Sequence, residues 1–368
     1  MDFSVELTAF PSAVHSQVYA HARGLTPLER SLSAASGPDM RASCAACHGF
    51  MTGMLSDMYD NPEEYALPVM ALEEFCGGVT VNGMKRRSPS KTKDILSQTR
   101  NVVHGYIALL CMLGKAGVLD GDTLGVSESD LAVMDQQVST ARSPISLAKR
   151  LKALSRVGLT SDSGQFISTR YPGMFPAICA LAKKCEKLSG FAFFAFGNAD
   201  FRPLGAKYKP TYEDYYAPLI SEQREQAESL HDFALQNNMS PAIGTFWKVD
   251  YKYKGAQVMC VGSMGDCERL LDVRIIGAYN WDDPALINGR LEREPREFQK
   301  QALRHIWRCD ACSTSHLGMF VTVLGKRQRV CGGGMIAFRW RNPAGGDLEI
   351  LKRLIQMRCE IIDEIRRK

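Results

Sequence analysis

The chain has 368 residues, 45% of them apolar and 23% charged, with a formal net charge of +5 and no long acidic or low-complexity tract. That balance excludes a disordered, fibrous or disulfide-stapled miniature protein and leaves chain for two or three cores. The opening Met1-Asp-Phe-Ser-Val-Glu carries no basic export segment, and no run approaches the ~18–20 apolar residues of a membrane span, so the expectation is a cytoplasmic protein with no membrane partner. In that setting the 12 cysteines read as thiols, metal ligands or redox groups and not as a disulfide framework.

Residues 1 to about 100 show helix-like patches with many breaks. Cys44-Ala-Ala-Cys47-His48 has the letters of a c-type haem attachment motif, but that chemistry goes with export, and the reading is against haem. A metal site shared with Cys76 and its Gly77-Gly78 turn is one alternative; helix thiols are the other. Residues 85 to 93 are basic and contain Pro89, which suits an exposed linker. From Asn101 to Leu119, Val102, Val103, Tyr106, Leu109, Leu110 and Leu113 recur at helical spacing, with Gly121 as a stop.

The next helix is predicted from Ser143 as N-cap, with Pro144 at its first position and Gly158 just past its end. Leu147, Leu151 and Leu154 fall on one face, and Lys149, Lys152 and Arg156 on another. A turn-rich Thr160-Ser-Asp-Ser-Gly164 follows, then Gln165 to Tyr171 alternates like a strand before Pro172. The phrase Leu151-Lys-Ala-Leu-Ser-Arg-Val-Gly-Leu159, with the hairpin after it, resembles the end of the recognition helix and the wing of winged-helix transcription regulators. The resemblance covers about 30 residues and implies contact with DNA by Lys149, Arg150, Lys152, Arg156 and Arg170. Charge points the same way. Between Arg142 and Arg170 stand six basic residues and one acid, a surplus equal to the whole chain's +5, and clustered cations are what phosphate contact needs.

Phe175 to Leu188 reads as an apolar helix, and Gly190 to Gly197 as a strand or buried connector. A further domain is expected from about Phe191: a helix over 212–237, strands over 245–253 and 256–261 joined at Lys254-Gly255, a third strand over 270–276, and a helix over 295–308. Strands then follow over 319–324, 329–331 and 335–340, and a final amphipathic helix starts near Asp347. The expected class is α+β: a helical region over 1–100, a winged-helix-like domain over 101–190, and an antiparallel sheet covered by helices over 191–368.

Cys309-Asp-Ala-Cys312 and Cys331 have the spacing C-x2-C-x18-C. With His316, or His305 in its place, they could close a tetrahedral zinc site; buried thiols are the plainer reading. This last portion also resembles the end of uncharacterised bacterial proteins. Phe246, Trp247, Tyr251, Tyr253, Trp281, Phe338 and Trp340 either line an apolar pocket or pack as core. No phosphate loop, dinucleotide fingerprint, HExxH pair or nucleophile elbow is present. Three functions stay open: a DNA-binding regulator whose second domain senses a small molecule, metal or redox state, which is the favoured reading; a metal- or thiol-dependent enzyme centred on Cys309, Cys312 and Cys331; and a protein-interaction module. Ligand, operator and oligomeric state are not encoded in any motif.

Overall fold

The computed structural model describes residues 12–32, 37–68, 80–81, 84–85, 89–139, 145–188, 190–205, 208–217, 219, 221–243, 248–262, 271–276, 284–306, 319–330, 336–341 and 343–367. The chain is α+β and divides into two compact units, Met1–Pro210 with Asp266–Glu268, and Thr211–Gly265 with Arg269–Lys368. The expected boundaries near 100 and 190 do not coincide with this division: one helix runs through position 100, and the segment after 190 belongs to the first unit.

Unit 1 is a helical body carrying a small sheet. Helix α1 (Ala13–Arg23) and α2 (Pro38–Asp60) precede α3 (Pro89–Ala116). Pro89 thus opens a helix and does not sit in a linker, in keeping with the tolerance of proline in a first turn. Cys44, Cys47, Phe50, Met51, Met54 and Met58 line the buried face of α2 at helical spacing,. Val102, Val103, Tyr106, Leu109, Leu110 and Leu113 of α3 are all buried, as their periodicity requires. Strands β1 (Val118–Asp120) and β2 (Thr123–Gly125) follow at once. Gly121, at φ 57°, turns a hairpin and is not merely a helix stop.

Then come α4 (Glu128–Val138), α5 (Leu147–Ser155), β3 (Leu159–Asp162) and β4 (Gln165–Ser168). The sheet order is β1-β2-β4-β3, all antiparallel. Ser163 at φ 47° and Gly164 at φ 81° close the β3–β4 hairpin in the left-handed conformation that a tight turn demands. Helix α6 (Phe175–Lys184) is as expected apart from its earlier end, whereas Phe191–Gly197 is a helix, α7, and not a strand. A short apolar run has no periodicity to separate the two.

Unit 2 is an antiparallel sheet with helices. The expected 212–237 helix is two, α8 (Tyr212–Tyr216) and α9 (Ser221–Gln236), with Pro218 between them in sequence. Strands β5 (Met239–Ile243), β6 (Lys248–Tyr253), β7 (Ala256–Gly262), β8 (Asp272–Ile276) and β11 (Ile336–Arg341) form a sheet of order β11-β8-β7-β6-β5. β5 was not foreseen because it contains Pro241, which an edge strand tolerates. Helices α10 (Pro284–Leu291) and α11 (Arg296–Arg304) and a separate hairpin of β9 (Met319–Val323) and β10 (Lys326–Val330) precede β11, and α12 (Asp347–Arg367) ends the chain. Val249, Tyr251, Met259, Val261, Val273, Ile275, Phe338 and Trp340 are fully buried. They alternate with a polar row that crosses four strands in register, Asp250, Cys260, Arg274 and Arg339. Tyr251, Phe338 and Trp340 are therefore packed as core.

Candidate nucleic-acid interface

Helix α5 starts three residues later than its sequence suggests. Ser146, in extended conformation, caps it by accepting from Lys149 N at 3.5 Å, while Leu147 N donates to Asp135 Oδ1 of α4 at 2.7 Å. The expected cap, Ser143 with Pro144, lies outside the described residues. Leu147, Ala153 and Leu154 are buried, and Lys149, Lys152, Ser155 and Arg156 are exposed on the opposite side. Spacing at i, i+3 and i+7 gathers those cations into one stripe.

The five sequence-predicted contacts divide. Lys149 and Lys152 face solvent, and no ion pair joins either to a described residue. Arg156 is also exposed but is held from Nε and Nη2 by Asp57 of α2, at 2.8 and 3.2 Å. Burial pushes the Asp57 carboxyl up, yet hydrogen bonds from Arg156, Tyr65 and Asn61 and the guanidinium charge hold it below the ordinary aspartate value. The same hydrogen bond raises Arg156. Arg170, just beyond β4, lays its stem across Gly158 and donates from Nη1 to the Arg156 carbonyl at 3.4 Å. A cation at a helix C-terminus meets carbonyls that have no helical partner.

Arg150 does not belong to the stripe, which corrects its assignment as a DNA contact. It is 0% exposed, its guanidinium lies 4.8 Å over the Tyr106 ring, and it donates to the carbonyls of Val102 and Val138, each at 3.4 Å. Burial lowers its pKa, opposed by Tyr106. Of the four basic residues from Lys149 to Arg156 one falls toward the core, and only the packing of α3 decides which.

The hairpin stands beside α5. β3 pairs with β4 from Leu159↔Ser168 to Asp162↔Gln165; Phe166 is buried below and Ile167 is 46% exposed above. Its tip is tied down by Val126 N donating to Gly164 O at 2.8 Å. Tyr171, after Arg170, presses its ring onto α2 at Gly49 and Gly53 and meets Phe50 edge-on at 5.8 Å. Asp57 and Tyr171 were missed from sequence. The i, i+4 glycines of α2 were a faint sign of close approach, but nothing local marks Asp57, which is 99 residues from its partner.

The other sequence candidates separate in the same way. Cys309, Cys312, His316 and Cys331, the zinc set, lie outside the described residues. His305 is described. It stacks on Trp340 at 4.2 Å and donates from Nδ1 to the Arg339 carbonyl at 3.3 Å. Cys44 and Cys47 are core thiols; burial pushes Cys44 up to about 11 and raises Cys47 as well. His48 Nε2 donates to the Thr26 carbonyl at 2.9 Å. Among the described residues no cluster of three or more His, Cys, Asp or Glu side chains could hold a metal, and no helix is long and apolar enough to cross a membrane.

Two further polar groupings among the described residues of unit 2 have no sequence signature. One is a buried chain in which His231 Nδ1 meets Tyr251 Oη at 2.7 Å and Tyr251 Oη meets Tyr216 Oη at 2.9 Å, with Tyr212 stacked on His231 at 3.6 Å. The other is a groove of about 460 Å³ along α9, lined by Glu225, Glu228, Asp232 and Phe233 and faced by Lys352 of α12. Compared with protein-family models, with curated proteins and with solved structures, the chain matches none.

Proposed function

We propose that unit 1 binds duplex nucleic acid through the exposed stripe of α5, with the β3–β4 hairpin reaching beside it, and that the chain is a DNA-binding regulator whose second unit responds to a small molecule, metal or redox state. The observation that carries this reading is the outward projection of Lys149 and Lys152 from a helix followed directly by a tied-down hairpin. A helix, then Gly158-Leu159, then a hairpin is also the order in which the winged-helix resemblance runs from recognition helix into wing. The cation count fits phosphate contact, because ammonium groups neutralising phosphates release counterions whatever the base sequence. Arg156 contributes less than its position suggests, since Asp57 already neutralises it. The groove along α9 is a concave surface that would suit an effector in unit 2.

The test is binding of the full chain to a fluorescent duplex across a salt series. The native protein is expected to bind at low salt with a steep inverse dependence on salt. Lys149→Ala with Lys152→Ala should lower the magnitude of the logarithmic slope by about two, at roughly one counterion per phosphate contact. The fold should be retained, because Leu147, Ala153 and Leu154 still pack. No binding at low salt, or an unchanged slope in the double variant, removes the reading and leaves α5 as a protein-docking or plain solvated face.

A further inference from the structure

Helices α3 and α6 of unit 1 cross at very short range. A Cβ added to Gly114 of α3 would stand 2.8 Å from Ile178 Cγ2 and 2.9 Å from Ala182 Cβ of α6, so the two backbones approach as closely as glycine permits. One turn back along α3 from Gly114 is Cys111. One turn on from Ala182, at the C-cap of α6, is Cys185. An antiparallel crossing makes these positions the next rung, and the two thiols meet there. Each is the strongest influence on the other: Cys111 shares its proton toward the Cys185 sulfur, which lowers Cys185 against the opposing effect of burial, with help from the Lys115 ammonium, and raises Cys111. The Cys185 thiol also donates to the Leu181 carbonyl at 3.5 Å, which keeps its sulfur over the last turn of α6.

Both cysteines are free and almost fully covered, at 0% and 1% exposure. Lys115 on α3 and Lys184, Glu186 and Lys187 around Cys185 are exposed. This places two sulfurs side by side near the Lys115 ammonium, at helix ends whose neighbouring residues are exposed.

We propose that Cys111 and Cys185 form a two-thiol redox site that a small hydroperoxide, such as hydrogen peroxide, converts to an intramolecular disulfide. The Cys185 thiolate attacks one peroxide oxygen; an S–O bond forms, the O–O bond breaks, and the departing oxygen leaves as water after protonation. The Cys111 sulfur then attacks the Cys185 sulfenic sulfur; the S–S bond forms, the S–O bond breaks, and the hydroxyl leaves as a second water with the Cys111 proton. Two thiols lose two electrons in all and the peroxide gains them. A small dithiol reverses the change by exchange through a mixed disulfide. The bond ties the end of α3 to the end of α6 and closes a long loop of chain.

The experiment treats reduced full-length protein with equimolar hydrogen peroxide, blocks remaining thiols with iodoacetamide, digests with trypsin and reads the peptides by mass spectrometry. Cleavage after Arg100, Lys115, Lys184 and Lys187 leaves residues 101–115 and 185–187 as separate peptides. The expected result is one principal cross-linked species joining them, two hydrogens lighter than their sum and abolished by dithiothreitol. In Cys111→Ser, Cys185 should instead be trapped as a sulfenic acid by dimedone. Two separately alkylated peptides after peroxide, a Cys185 that advances to sulfinic acid beside an unreacted Cys111, or disulfides from either residue to other cysteines would each overturn the proposal. None of these readouts depends on nucleic-acid binding.

Discussion

Arg150 in unit 1 and Arg339 in unit 2 are both buried, and they are held in different ways. Arg150 donates to two backbone carbonyls and lies over an aromatic face. One of those carbonyls belongs to Val138, the last residue of α4, so the guanidinium satisfies an acceptor that the helix leaves open. Arg339 is clasped instead by the Asp272 carboxylate, with Nε to Oδ1 and Nη2 to Oδ2 both at 2.8 Å, and Arg274 takes the same carboxylate at 2.6 Å. The difference follows from the elements. A helical body presents helix ends to a buried cation, whereas a sheet stands its side chains in rows, where a carboxylate and two guanidinium groups can share one face. Arg150 is thus a cap that joins three helices, and Arg339 is half of a buried ion pair.

The largest expected effect comes from breaking that pair. Asp272→Ala removes the carboxylate that clasps Arg339, whose side chain is 6% exposed, and breaking a buried ion pair by removing one partner costs about 3–5 kcal/mol. Native-state hydrogen exchange should show this as lost protection in β8 and β11, with the amides of α3 and α5 unchanged. Equal loss of protection in both units would end the contrast between them.

A middle effect is expected at Gly105, against which Arg150 packs so closely that an added Cβ would stand 2.6 Å from Nη2. Gly105→Ala should destabilise unit 1 by about 1–3 kcal/mol through overpacking. Adding Arg150→Met, which removes the obstructing guanidinium, should recover part of the loss. A double-mutant cycle in urea measures the coupling, and strict additivity would mean that Arg150 is not the obstacle.

The smallest effect is the pH dependence. Burial holds His231 and His305 below the ordinary histidine value, with nearby acids opposing, and burial does the same to His15 in unit 1. A depressed histidine binds fewer protons folded than unfolded, so stability rises with pH. The contribution is full above the ordinary histidine pKa of ~6.5 and is lost as pH falls from there toward the lower folded value. Each histidine can add at most about 1.4 kcal/mol per pH unit. Unit 2, with two such residues among those described, should lose more on going from pH 7.5 to 5.5. His231→Gln, followed by thermal melts at both pH values, should flatten the difference.

Much of the architecture was legible wherever a local signal and the tertiary fold agree. The buried stripe of α3, the tight turn at Lys254-Gly255, whose residues take φ 48° and 80°, and the long amphipathic α12 follow from apolar period and turn chemistry; the second hairpin, expected to turn at Gly325-Lys326, turns one residue earlier at Leu324-Gly325. The misses are equally physical. α7 was unreadable as a helix because seven residues rich in phenylalanine satisfy either period. β5 was hidden by Pro241, and the β1–β2 hairpin by an interpretation of Gly121 that ended one element without starting another.

At the candidate interface the sequence by itself determined that cations gather between 142 and 170 and that α5 has a polar and an apolar side, because composition and the 3.6-residue period are properties of a segment. Only the tertiary structure decided that Arg150 turns inward to Gly105 and Tyr106, that Asp57 takes the charge of Arg156, and that Cys111 meets Cys185. Each of those depends on which distant backbone or carboxylate arrives at contact distance, and no period within a segment carries that information.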